Sequence, residues 1–113
     1  MMLANGDVLI TGGDDHDGPS GHLASAEVFR AATLSFQATG AMHHARVAHT
    51  ATLLNDGKVL IAGGKGESLT ASAELYDPKA GTFSETGTLV TARYKHTAGL
   101  LPDGRVLIAG GSD

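Results

Sequence analysis

The chain has no cysteine and no tryptophan, and only five aromatic residues and three prolines among its 113 positions. Without cysteine there is no disulfide framework, no thiolate-bound zinc or iron–sulfur centre and no thiol nucleophile. Cationic residues are few as well: eight Lys and Arg stand against twelve Asp and Glu, for a formal net charge of −4, and they form no run. A phosphate-tracking surface needs the opposite sign, so nucleic acid is not an expected partner. Long apolar runs are also missing, since stretches such as VLI and VLIA end after three or four residues. Spanning a bilayer takes roughly 20, so no membrane segment is expected. The opening MMLANGDVLI carries neither the charged region nor the long apolar region of a secretory signal, which leaves the compartment open. What is abundant is glycine, with 16 residues, about twice its usual share of roughly 7%. With 42% apolar residues the chain can fill a modest core.

Those glycines recur in phase. LANGDVLITGG (3–13), LNDGKVLIAGG (54–64) and LPDGRVLIAGG (101–111) are versions of one segment, with turn glycines at Gly6, Gly57 and Gly104, spaced by 51 and 47. SAEVF (25–29) matches SAELY (72–76), Phe36 matches Phe83, Ala45-Arg46 matches Ala92-Arg93, and His49-Thr50-Ala51 matches His96-Thr97-Ala98, each pair 47 apart. The offset is constant from Ser25 onward, so the four extra residues of the longer unit fall between Gly13 and Ser25.

Each unit reads as four strands. HTATLL and HTAGLL are short apolar runs followed by an Asp-Gly turn and then KVLIAGG or RVLIAGG, a strong hairpin signal. A third strand (AEVF, AELY) and a fourth around Phe36 or Phe83 follow, and no stretch shows a helical apolar stripe. Four antiparallel strands in about 47 residues indicate a propeller blade. Val59, Leu60, Ile61 and Ala62 put apolar side chains on both strand faces, as a sheet packed between two neighbours requires.

The pattern resembles the kelch repeat family, in its bacterial form and within the galactose oxidase and kelch-type propellers. The residues that carry the resemblance are the double glycines Gly12-Gly13, Gly63-Gly64 and Gly110-Gly111, the aromatics Phe29 and Tyr76, the downstream Phe36 and Phe83, and the Ala-Arg before the next unit. Two features depart from it: Phe stands where the family usually has Trp, and Arg30-Ala31 replaces Asp77-Pro78 in the first unit. The expected fold is all-β, a partial kelch-type β-propeller of about two and a quarter four-stranded antiparallel blades. Residues 1–113 form one partial domain: strands two to four of a blade in 2–40, a complete blade in 47–87, and strands one and two of a third in 94–111. A propeller closes with roughly four to eight blades. Further blades of a longer chain, or self-association, are therefore expected to cover the open blade faces.

Asp14, Asp15, His16 and Asp17 in the longer loop are candidate ligands for a divalent cation. Their spacing does not match an EF-hand, and the competing reading is a solvated loop. His49 and His96, each three residues after an arginine, recur once per unit, which points to a structural role such as a hydrogen bond to a neighbouring blade. GGKGES (63–68) lacks phosphate-loop spacing. Strand alternation puts the loops after strand two on the same face as the links between blades. That face gathers His43, His44, Arg46, Arg93, Tyr94 and Lys95, and is the expected ligand face.

The resulting expectation is a non-catalytic binding or scaffold module, with no cofactor, that presents these loops to a protein or glycan. The alternative is a fragment of an oxidase-like or epimerase-like propeller enzyme whose catalytic residues lie outside this chain. The resemblance implies that a copper oxidase site of this type uses a Cys-crosslinked Tyr, which a chain without cysteine cannot form.

Overall fold

The computed structural model describes residues 1–12, 23–66 and 70–112, which form strands, turns and loops with no helix among them. Nine strands follow in chain order: β1 (Val8–Thr11), β2 (Ala26–Arg30), β3 (Ser35–Ala38), β4 (Thr50–Leu53), β5 (Val59–Ala62), β6 (Ser72–Asp77), β7 (Thr82–Thr88), β8 (Thr97–Leu100) and β9 (Val106–Ala109). They pair antiparallel in three sheets, β1-β2-β3, β4-β5-β6-β7 and β8-β9. The fold is therefore all-β and partial-propeller-like, with three strands, then four, then two, in the phase of the repeat.

Register repeats along with sequence. Val8 pairs with Phe29 and Phe29 with Phe36 in the first sheet, and Val59 with Tyr76 and Tyr76 with Phe83 in the second. The paired rings lie 4.9 and 4.8 Å apart between centroids, which suits tilted aromatic pairs. The hairpin before each VLI segment closes on a side chain: the backbone N–H groups of Asp7, Lys58 and Arg105 each donate to an Asn or Asp two residues earlier, at 3.0 Å. An Asx turn of this kind fixes the bend locally.

The core lies between sheets. Leu9, Ala26 and Val28 of the first sheet cluster with Val59, Ile61, Tyr76 and Phe83 of the second, and Leu3 and Met42 join them. Repeat-equivalent positions on the outward face of the first sheet are open: Ile10 is 43% and Phe36 61% exposed, whereas Ile61 is 0% and Phe83 8%. Burial is thus set by which neighbour is present.

The double glycine is needed where the next link crosses the strand end. Gly63 has φ of 67°, and a Cβ there would come within 2.6 Å of His96 Cε1 and 2.8 Å of the Arg93 carbonyl oxygen. At Gly64, with φ of 102°, a Cβ would meet the Val47 carbonyl at 2.8 Å. An L side chain fits neither position.

The first unit is the more irregular one. Leu34 occupies the left-handed region at φ of 54°, where the second unit has Gly81 at 69°. The Asp77 side chain, which accepts the Lys79 N–H at 2.9 Å, has no counterpart at Arg30; Asp7, across the sheet, takes over by accepting the Ala31 N–H at 3.0 Å and Arg30 Nη1 at 2.9 Å. These two bonds, the backbone one first, hold the Asp7 carboxyl below its ordinary pKa. The Lys58 and Asp77 charges of the second unit are thereby inverted as Asp7 and Arg30 in the first.

Candidate ligand face

The links after β3 and β7 run past the ends of β5 and β9, tied there by two equivalent bridges, Val47 with Lys65 and Tyr94 with Ser112. Each is a reciprocal backbone pair of 2.8 to 3.1 Å. The next residue, Ala48 or Lys95, turns left-handed at φ of 55° or 56°, and the Lys95 N–H donates to the Ala48 carbonyl at 3.0 Å. This fixed backbone stands the half-buried Tyr94 ring between two exposed lysines, with Lys65 Nζ and Lys95 Nζ each 5.7 Å from its centroid. Cation–π contacts at that range contribute about 0.5–1 kcal/mol each where exposed. They hold two ammonium groups together on a chain that is otherwise net acidic.

Arg46 does not belong to this surface, which corrects the expectation for it. Its side chain is fully buried. Nη1 donates to the Gly63 and Ser72 carbonyls, both at 3.0 Å, and Nη2 to Ser72 Oγ at 3.0 Å and Glu74 Oε2 at 2.6 Å. Glu74, equally buried, also accepts the His43 N–H at 2.7 Å and the His44 N–H at 3.3 Å. Burial pulls the guanidinium below its ordinary pKa, and Glu74 opposes this. Gly64 leaves room for this burial, since a Cβ there would stand 3.2 Å from Arg46 Cβ, and the planar guanidinium satisfies the Gly63 carbonyl and adds a second donor to the Ser72 carbonyl, which also accepts the Gly63 N–H. Arg93 begins the same arrangement, donating from Nη1 to the Gly110 carbonyl at 3.2 Å.

His49 and His96 tie adjacent blades together. His49 Nε2 lies 2.8 Å from Thr11 Oγ1, and His96 Nε2 lies 3.0 Å from Thr50 Oγ1. Both Nδ1 atoms are buried without a partner. A bare acceptor there costs less than a stranded N–H, so the proton is assigned to Nε2, donating to the threonine. Burial first, then Arg46 and His96, pushes His49 down to about 4, and burial lowers His96 in the same direction. Both imidazoles are therefore neutral near pH 7.

His43 and His44 have exposed side chains alongside β7. His43 Nε2 is 3.2 Å from the Phe83 carbonyl, and His44 Nε2 is 2.9 Å from Glu85 Oε1. They do not join the Tyr94 group. Asp14, Asp15, His16 and Asp17 lie outside the described residues. Among those described, no three His, Asp or Glu side chains converge as a metal site.

One feature had no sequence signal. A cleft of about 560 Å³ opens on the opposite face, lined by Leu3, Asn5, Asp56, Lys58, Asp77 and Lys79 among others. It lies between the hairpins of two units, so no single segment encodes it.

No family model matches the chain, and no curated protein matches it. Among solved structures it is similar to a novel fungal alcohol oxidase of the AA5 family, in complex with copper, with a TM-score of 0.83 and 23% identity over 94% of this chain. The chain spans only 25% of that enzyme's length. A likeness of this quality at this identity shows the fold alone.

Proposed function

We propose that the chain is a non-catalytic binding module whose ligand, an acidic protein segment or an acidic glycan, docks against Lys65, Tyr94 and Lys95. The observation that carries this reading is the pair of ammonium groups held 5.7 Å from one ring by a bridged backbone. A pre-positioned cation pair loses little freedom on binding, and its attraction to an anionic ligand weakens as salt shortens the Debye length to about 8 Å at 0.15 M. Binding to Glu-rich peptides, sulfated or uronate glycans and neutral glycans, measured at low and physiological salt, tests it. Lys65→Glu and Lys95→Glu should each weaken binding about tenfold, and Tyr94→Ala should uncouple the two lysines. Equal binding of neutral and acidic ligands, or wild-type binding by both lysine variants, would overturn the proposal.

The neighbour's identity as an oxidase favours a second reading, in which this chain is part of a propeller enzyme. The described residues do not fit a copper centre, because no three potential ligands converge and the Nε2 atoms of His49 and His96 are engaged by Thr11 and Thr50. Under that reading the chain supplies scaffold, and no reaction step is assigned to its residues. Copper titration of the chain with alcohol-oxidase assay decides: turnover from these 113 residues alone would replace the binding reading.

A further inference from the structure

The cleft on the face opposite Tyr94 sits in the seam between two units. Its walls are one turn of the first unit (3–5) and two turns of the second (56–58 and 77–79), around a volume of about 560 Å³. Small-molecule pockets run from roughly 300 to 1,000 Å³, so the space is of the right order for one. Each bounding turn is closed by paired residues on its two sides: Met2 with Val8, Leu53 with Val59, and Asp77 with Thr82. The cleft is thus framed by completed hairpins and owes nothing to an unpaired strand.

Its chemistry comes from a pair of charges that the first unit closes and the second leaves open. Asp7 and Arg30, one step beyond the paired Val8 and Phe29, form an ion pair of 2.9 Å. Lys58 and Asp77 hold the equivalent positions beyond Val59 and Tyr76, where facing Cβ atoms lie about 5 Å apart. Both are half-buried and both line the cleft. One Asp77 oxygen accepts the Lys79 N–H at 2.9 Å. The other oxygen and the Lys58 ammonium have no side-chain partner among the described residues, and the ion pairs formed there lie elsewhere. Asp56 and Lys79 repeat the two signs at the exposed rim, so the four charges cancel and the cleft selects neither a net anion nor a net cation. A molecule carrying both signs is the one that gains. Leu3, Ala4 and Pro78 add an apolar wall beside the charges. We infer that the cleft binds a free apolar α-amino acid, its carboxylate meeting Lys58, its ammonium meeting Asp77 and its side chain lying along Leu3 and Pro78. The two charged groups of such a ligand sit on one carbon, a spacing that neighbouring cross-strand side chains bracket. This ligand is independent of the one proposed at Tyr94, because the two sites share no residue.

L-leucine is the probe, titrated at neutral pH into the full chain while backbone amide resonances are followed by NMR. The expected result is a saturable shift at Gly57, Lys58, Asp77 and Lys79, with a Kd of about 1 mM. Leucinamide, which lacks the carboxylate, 4-methylpentanoate, which lacks the ammonium, and glycine, which lacks the side chain, should each bind about tenfold more weakly. Lys58→Gln should weaken leucine about tenfold and leave leucinamide unchanged. Asp77→Asn should weaken leucine by a similar factor and leave 4-methylpentanoate unchanged; the amide oxygen still accepts the Lys79 N–H, so the turn is kept and only the charge is lost. Should either variant fail to fold, the four ligands compared on the unmodified chain decide. No shift around the cleft at about 20 mM leucine, equal binding of leucine, leucinamide and 4-methylpentanoate, or shifts centred on Tyr94 instead would overturn the inference. So would folded Lys58→Gln and Asp77→Asn chains that both bind leucine as the wild type does.

Discussion

The Arg46–Glu74 pair makes a quantitative claim about stability. Replacing Glu74 with Leu strands a fully buried guanidinium and leaves the His43 and His44 N–H groups without their acceptor. Breaking a buried pair from one side costs about 3–5 kcal/mol, and each orphaned buried N–H adds about 1–3 kcal/mol unless water reaches it. His43 and His44 are exposed and sit at the rim, so hydration covers most of the second contribution and about 4 kcal/mol is expected overall. A domain of this size is worth about 6–17 kcal/mol at 0.05–0.15 kcal/mol per residue, so the variant should be folded but severely weakened. Arg46→Met alone should cost about 3 kcal/mol, because Glu74 keeps its two backbone donors. The double variant Arg46→Met/Glu74→Leu should cost less than the two singles together, with a coupling of about 2–3 kcal/mol. Urea unfolding followed by circular dichroism supplies all four values, with the slope m checked for constancy. Running each curve at two protein concentrations separates folding from association. A loss below 1 kcal/mol for Glu74→Leu, or additive singles, would refute the account of the pair as the fastening beneath the second sheet.

Other consequences can be checked independently. His49 is neutral when folded down to about pH 4, whereas an unfolded histidine takes its proton near 6.5. The unfolded chain therefore binds the extra proton between those values, and stability falls as pH drops through that window by about 3 kcal/mol in total. His49→Gln should remove most of that slope, and identical pH profiles for variant and wild type would exclude His49 as its source. Leu34→Gly, at a left-handed φ of 54° with the side chain 77% exposed, should raise stability by about 1 kcal/mol; a lower thermal midpoint would contradict the strain. Gly63→Ala should destabilise by more than 2 kcal/mol, since the new methyl would stand 2.6 Å from His96 Cε1, and neutral behaviour in thermal melts would argue against the tight crossing.

The architecture was legible because it is written in repeats. The Asn5, Asp56 and Asp103 turns, the VLI strands and the 47-residue offsets yield strand number and order directly. Arg46 was harder. An arginine in a link between strands reads as a surface group, and its burial depends on Gly63 and Gly64, distant in sequence, carrying no side chain where the link crosses. A signal did exist: Ala45-Arg46 recurs as Ala92-Arg93 and Ser25-Ala26-Glu27 as Ser72-Ala73-Glu74 at the same 47-residue offset, opposite charges at fixed repeat positions that strand periodicity ignores. The inverted Asp7 and Arg30 charges were hidden for a related reason, because cross-strand partners are seen only once register is known. Tyr94 and its two lysines were half-visible. Lys95 adjoins Tyr94 in sequence, but Lys65 arrives through the link geometry set by the Tyr94–Ser112 and Val47–Lys65 bridges.

The core between the sheets changes what a unit of this protein is. Val28 is buried by residues of the next unit, and Thr11 is the hydroxyl to which His49 bonds. A substitution accepted in one unit is therefore judged by the side chains of another, and the heritable module is the seam between two blades rather than the blade itself. Duplicating a unit duplicates one half of each of two seams. New copies can then drift only in matched pairs, as the reversed Asp7–Arg30 charges already do within a single sheet.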